Sequence, residues 1–221
     1  MGCHPHASKV KLNFGIYTSC NSYFANTYRR IIEKYDTPRL GMNKWNKHVE
    51  SFGLGNYLGN DLSSGDKGFI PDSDYYDRMY PAKNWTATYT LSNAIGQGEV
   101  STTPIQLANM TAAIANRGFY YTPHIIKSIS GYQTIDSNYT TKKYCSIDKK
   151  HFIPIVNGME QVVYGKEGTA KYCKIPNYEI CGKTGTAQNP HGEDHSIFIA
   201  FAPKENPAIA IAVYVENGGW G

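Results

Sequence analysis

No run of apolar residues in this chain approaches the roughly 18 needed to cross a bilayer, and no basic leader followed by an apolar stretch opens it. If the parent protein is exported or anchored, that segment is expected to be absent here. Charge of one sign is scarce as well. Lys and Arg total 22 against 18 Asp and Glu, a net charge of +4, and the longest basic run is Lys149-Lys150-His151, so no nucleic-acid footprint is present and no nucleic-acid partner is expected. Five cysteines cannot all pair with one another, and their spacing fits neither a zinc knuckle nor a redox Cys-x-x-Cys pattern. Cys3-His4-Pro5-His6 and Cys20 offer zinc-type donors. Pro5 stiffens the group, however, and no regular spacing ties it to Cys20, so it reads as an incidental tail with no metal or cofactor expected. Gly96-x-Gly98 lacks the third glycine and the parallel-strand context of a dinucleotide loop. What remains is a chain of 221 residues, 41% hydrophobic, long enough for one globular domain or a domain with a small subdomain.

The stretch with the most chemistry is Cys181-Gly182-Lys183-Thr184-Gly185-Thr186-Ala187-Gln188. Tyr178-Glu179-Ile180-Cys181 before it favours a strand, which sets a cation, two hydroxyls and a residue without a side chain along one extended segment. That pattern suits an extended acyl substrate ending in a carboxylate. Gly185 admits another backbone, Lys183 supplies positive potential, the hydroxyls of Thr184 and Thr186 can hold carboxylate oxygens, and the Thr186 N–H points toward a developing oxyanion.

Near the amino terminus, Leu12 to Tyr17 reads as a short helix giving way at Thr18-Ser19-Cys20-Asn21. Phe24, Tyr28, Ile31, Ile32 and Tyr35 then recur at helical spacing. Ser19 and Asn21 fall on the turn, where a hydroxyl can pass a proton and an amide can bond a carbonyl; ordinary helix capping explains the same residues equally well. Met42, Trp45, Val49 and Phe52 mark another amphipathic helix, stopped by Gly53 and Gly55. From Gly59 to Thr90 no period is sustained, which predicts a long surface excursion whose aromatics, Trp85 and Tyr89 among them, line a groove or cover the core.

Thr103, Pro104 and Gln106 spell a capping box. The helix they open is predicted to bury Ile105, Met110, Ala113 and Ile114 and to end at Gly118. A strand broken at Pro123 and a polar meander to Ser146 follow. Phe152, Ile155, Val156, Met159, Val162 and Val163 form a further helix face. Apolar runs at 197–202 and 208–215 join the lysine stretch as three consecutive antiparallel strands, a sheet apolar enough to need helices on both faces.

Ser19-Cys20-Asn21, Gly96-Gln97-Gly98 with Thr103-Pro104-Ile105-Gln106-Leu107-Ala108, Lys183-Thr184-Gly185-Thr186-Ala187-Gln188, Phe198 to Pro203 and Glu216-Asn217-Gly218-Gly219 together resemble the transpeptidase domain of class B penicillin-binding proteins. The resemblance is greatest to the elongation type, penicillin-binding protein 2, and the tyrosine-rich style resembles a Bacteroides-like source. It implies an α/β (α+β) chain of the β-lactamase/transpeptidase-like fold, an antiparallel sheet with flanking helices, incomplete at both ends. The domain is expected over 1–221, helical from about 10 to 165 and sheet from about 175 to 217.

The resemblance further implies D,D-transpeptidation at the periplasmic face of the inner membrane, through a serine acyl-enzyme formed on peptidoglycan stem peptides and mimicked by β-lactams. Its implied partners are a membrane-embedded glycan synthase and the elongation machinery. By carry-over, Ser19 relays a proton, Asn21 orients the acyl chain, Lys183 tunes the electrostatics, Thr184 and Thr186 hold the terminal carboxylate beside Gly185, and the Thr186 N–H forms half of an oxyanion hole.

The family's nucleophile sits in a Ser-x-x-Lys tetrad on a helix upstream of the Ser-x-Asn turn. Ser8 with Lys11 is too near Ser19, Ser64 with Lys67 lies in a glycine-bounded loop, and Ser146 with Lys149 follows the turn. All three read as surface residues. The expectation is a truncated domain, inert on its own and prone to self-association through its exposed sheet. Two other classes share these residues: a serine β-lactamase, for which no Glu-x-x-Leu-Asn segment is found, and a non-catalytic β-lactam or peptidoglycan binding module.

Overall fold

Three antiparallel strands carry the organisation of the chain: β3 (Cys181–Ala187), β4 (His195–Ala202) and β5 (Ile209–Val215), in the order β3-β4-β5. The computed structural model describes residues 3, 6, 10–131 and 135–221. Ahead of the sheet come the helices α1 (Leu12–Tyr17), α2 (Asn21–Ile32), α3 (Pro38–Glu50), α4 (Ser73–Met79), α5 (Pro104–Ala115), α6 (Ser137–Thr140) and α7 (Phe152–Tyr164). A 3-10 helix spans Ala87–Ile95, and a two-residue ladder pairs β1 (Phe119–Tyr120) with β2 (Lys143–Tyr144).

Register explains the sheet's two faces. Lys183 pairs with Ile199 and Ile199 with Ala212, while Thr184 pairs with Phe198 and Phe198 with Val213. Side chains alternate along a strand, so Cys181, Lys183, Ile199, Phe201, Ala210 and Ala212 share one face. There α7 lies along β3, and α5 along β4 and β5. The core between them joins Ile16, Val156, Met159, Val162, Val163, Cys181, Ile199 and Phe201. Val162 and Val163 are fully buried, each contributing about 1.5–3 kcal/mol. The other face is different. Ile209, Ile211, Val213 and Val215 all stand exposed on β5, so among the described residues helices cover one face of the sheet rather than the two expected.

Helix α1 reaches the core because Gly158 of α7 leaves room for it: a Cβ there would meet Ile16 Cδ1 at 2.8 Å. The capping box of α5 is present on both sides, Thr103 to Gln106 and back, and the expected buried face is met in part, with Ala113 buried and Met110 and Ile114 packed against the core. Ile105 is exposed, and Gln106, Asn109, Thr111 and Ala113 turn inward. The cause is polar satisfaction. Gln106 Nε2 donates to the carbonyls of Asn56 and Lys67, and Asn109 Nδ2 to that of Phe52, so α5 anchors the loop before it through buried amides.

The stretch from Gly59 to Thr90 also departs from its reading as a surface excursion. Asp72 caps α4, its carboxylate accepting from the Tyr75 N–H at 2.8 Å, and Tyr76 and Trp85 are buried with Tyr28, Ile32 and Met42 in a second core. Aromatic spacing concealed that core because α4 is only two turns long. Trp85 therefore covers the core, while Tyr89 is half exposed. Beyond β1 no strand continues through Pro123.

Candidate active site

Helix α1 ends in a Schellman motif. The Cys20 N–H donates to the Gly15 carbonyl at 2.9 Å and the Ser19 N–H to that of Ile16 at 3.2 Å, which requires a left-handed residue between helices. Glycine is the usual occupant. Here it is Ser19, at φ +54°, a conformation that costs a non-glycine residue about 1–2 kcal/mol. Cys20 caps α2, its Sγ accepting from the Tyr23 N–H at 3.3 Å. The capping explanation of the Ser19 hydroxyl therefore does not hold: the cap is Cys20, and Ser19 Oγ is turned toward the sheet.

There it meets Lys183, whose Nζ donates to Ser19 Oγ and, at 2.7 Å, to the Thr184 carbonyl. Burial between the α1–α2 turn and β3 lowers the Lys183 pKa to about 8, because a desolvated ammonium is disfavoured. The pair thus joins residues 164 positions apart into a hydroxyl and an amine poised near neutrality, a pairing able to move a proton.

β3 is an edge strand. Its Thr184 and Thr186 carbonyls, two residues apart, point to the same side, and both accept side-chain donors, Lys183 Nζ and Gln97 Nε2, each at 2.7 Å. The free edge of β3 therefore carries the backbone groups that an extended chain would pair with. The hydroxyls of Thr184 and Thr186 are both engaged: Thr184 Oγ1 donates to Thr169 Oγ1 at 3.0 Å, and Thr186 Oγ1 accepts from the Gly221 N–H at 3.2 Å. The Gly221 backbone lies against the Gly185 carbonyl, while a Cβ on Gly185 itself would have, among the described residues, only Ile197 within 4 Å. Asn21 is the first residue of α2, one residue past the cap and two past Ser19.

Neither described Ser-x-x-Lys tetrad joins this site. Ser64 is exposed in a non-helical stretch. Ser146 Oγ pairs with His48 Nδ1 at 2.6 Å and Ser51 Oγ at 3.0 Å, at the end of α3. Ser8 and His4 lie outside the described residues.

Two residues given no role by the sequence alone belong here. Gln97 and Thr169 touch the lysine strand directly, and the glycines flanking Gln97 were the available signal for it. Cys3 and His6 come together with Cys20, their donor atoms all within 4.8 Å of one another. The expectation of an incidental tail rested on linear spacing, but a turn supplies the third donor. Burial by itself would raise the Cys3 thiol. Hydrogen bonds with Ser22, His6 and Cys20 outweigh it and bring Cys3 down to about 6, while burial raises Cys20. Two sulfurs and an imidazole are the donor set of zinc sites, so these are the residues able to hold a metal.

Helices packed on one face of an antiparallel sheet, with a hydroxyl turn meeting a partly buried lysine beside an edge strand, define the β-lactamase/transpeptidase-like fold. Within it, residues 4–221 match the model of the penicillin binding protein transpeptidase domain, and the chain belongs to that family. It is 32% identical over 229 residues to a peptidoglycan D,D-transpeptidase MrdA of Acinetobacter baumannii, covering 96% of this chain and 32% of the relative. To the MrdA of Escherichia coli K12 it is 30% identical, covering 82% of this chain and 31% of the relative. Among solved structures it resembles Pseudomonas aeruginosa PBP2 (TM-score 0.81, 36% identity, 96% of this chain and 46% of that one). Helicobacter pylori PBP2 is also similar (TM-score 0.78, 31% identity, 96% and 37%). The chain spans about a third of the length of the curated relatives it matches.

Proposed function

We propose that this chain forms the substrate-binding wall of a peptidoglycan D,D-transpeptidase of cell-wall elongation. The observation that carries the reading is the Ser19–Lys183 pair at the free edge of β3. In the reaction a serine attacks the D-Ala-D-Ala peptide bond of a stem peptide, D-Ala leaves, and an amine of a neighbouring stem resolves the acyl-enzyme. Ser19 and Lys183 relay the proton and Asn21 orients the acyl chain. Thr184 and Thr186, beside Gly185, hold the terminal carboxylate, and the Thr186 N–H on the free edge serves the oxyanion. β-Lactams are bound as substrate mimics. Neither Ser64 nor Ser146 is the attacking serine, since each stands apart from Lys183 in its contacts.

The solved relatives include a complex of PBP2 with MreC from Helicobacter pylori and a peptidoglycan synthase complex. By that analogy the protein works beside a glycan synthase and the elongation machinery at the periplasmic face of the inner membrane. No helix of the described residues is long and apolar enough to cross a membrane. The apolar face of β5 favours self-association of this chain; a monodisperse monomer in light scattering would contradict that.

The test is titration with a stem pentapeptide ending in D-Ala-D-Ala, followed by a fluorescent penicillin. Saturable binding that disappears in Lys183→Ala supports the assignment, and binding unchanged in that variant overturns it. This chain alone is expected to bind without forming a covalent adduct. An adduct on Ser64 or Ser146 would refute the placement of the nucleophile elsewhere.

A further inference from the structure

Gln97 has no role in the proton relay or in carboxylate binding as assigned above, yet its side chain crosses from the helical part of the molecule to the edge of β3. Its Nε2 donates to the Thr186 carbonyl at 2.7 Å. The loop that presents it is built stiffly. Gly96 and Gly98 both take left-handed φ values, +70° and +72°, which glycine alone adopts without strain. A Cβ on Gly98 would lie 2.9 Å from Ser92 Cβ, and the Gln97 N–H donates to the Ser92 carbonyl at 3.0 Å.

Behind the loop stands a buried polar network. Glu99 accepts from Tyr76 OH at 2.8 Å, and Asn93 Nδ2 donates to Tyr76 OH at 2.9 Å and to Tyr28 OH at 3.4 Å. Tyr28 in turn pairs with Thr90 Oγ1 at 2.9 Å. With Tyr76 1% and Tyr28 3% exposed, this network ties residues 96–99 to the second core through the bonds of Tyr76 and Asn93 Nδ2, while Asn93 Oδ1 is buried without a partner among the described residues. Gln97 is thus held at both ends.

A carboxamide has two ends as well. With Nε2 committed to Thr186, Oε1 is fixed in direction, and it accepts no hydrogen bond from the described residues. We propose that Gln97 is a substrate-binding residue whose pinned carboxamide prolongs the free edge of β3 and offers Oε1 to one N–H of the extended acyl peptide. The inference rests on the transpeptidase reading and adds a contact to it. Its ligand class is an acyl chain with an unsubstituted amide N–H at one defined position, and a tertiary amide at that position is discriminated against.

The experiment is an N-methyl scan. Stem pentapeptides methylated at one amide nitrogen at a time are titrated calorimetrically against the full-length protein, as wild type, Gln97→Ala and Gln97→Met. At one position in the acyl half, methylation is expected to weaken binding by about tenfold in the wild type and by less than about twofold in both variants, the coupling of one hydrogen bond. Equal methylation factors in all three proteins at every position would overturn the proposal while leaving the transpeptidase reading intact. No binding of any peptide to the wild type would sink that reading, and the proposal with it. The methionine variant preserves length and packing; if both variants lose their cooperative melt, Gln97 is a structural pin and the proposal is wrong.

Discussion

Among the described residues two serines pair with a basic side chain, Ser19 with Lys183 and Ser146 with His48, and they could hardly be placed more differently. Ser19 is held left-handed between two helices, with its hydroxyl against a lysine whose burial lowers its pKa to about 8. Ser146 opens a Ser-x-x-Lys tetrad, yet it sits exposed, bonded to His48 and Ser51 at the end of α3. The tetrad lysine, Lys149, begins a 3-10 turn and is exposed. A sequence motif therefore marks the serine without the environment, and tertiary packing gives the environment to a serine outside that motif. Desolvation, which shifts proton affinities, separates the two.

The largest expected effect tests that contrast directly. In the full-length protein, Lys183→Ala should slow acylation by a fluorescent penicillin by about 10²–10⁴-fold, the usual worth of a positioned proton-transfer group. Ser146→Ala should change it less than about twofold. Comparable losses in both variants would erase the distinction.

Next in size is the cluster beside Ser19. If Cys3, His6 and Cys20 take Zn²⁺, metal at a hundred times its dissociation constant should stabilise the fold by about 2.7 kcal/mol, read as a raised Tm that Cys20→Ser abolishes. An unchanged Tm would remove the cluster from the metal-binding class.

Ser19→Gly sharpens the comparison from the other side. It relieves the left-handed strain and should stabilise the protein by up to about 1 kcal/mol, while removing the hydroxyl and lowering activity. A destabilised glycine variant would show that the Lys183 contact outweighs the backbone strain.

Lys183 also sets a pH dependence. Its folded pKa lies below the unfolded value near 10.4, so the unfolded chain binds more protons between about pH 8 and 10 and stability should rise across that window. A bound carboxylate favours the ammonium and raises its pKa. Peptide binding should therefore weaken as the pH climbs above about 8 and should take up protons there, measurable by calorimetry in buffers of different ionisation enthalpy. The smallest effect is the stability of Ser146→Ala, within about 0.5 kcal/mol of wild type, as for exposed hydroxyls generally.

Much of the scaffold was legible from local pattern. The capping box at Thr103, the apolar face of α7 and the three strands with their order all follow from periodicity and turn residues, which act over a few neighbours. The reading failed where polar groups are buried. Gln106 points inward because Asn56 and Lys67 satisfy it, and Tyr76 is buried because Glu99 and Asn93 satisfy its hydroxyl; neither partner is close in sequence. Gln97 was visible as part of a glycine-flanked motif, but not as a contact of Thr186, 89 residues away.

By itself the sequence determined the family's motifs, the strand order and the residue types that handle an acyl substrate, because hydrophobic period and turn chemistry are local. Only the folded structure decided which serine meets the lysine, which face of the sheet stays bare, and that Cys3, His6 and Cys20 share one corner. Those outcomes depend on burial and on distances between residues far apart in the chain, which a linear order of side chains does not contain.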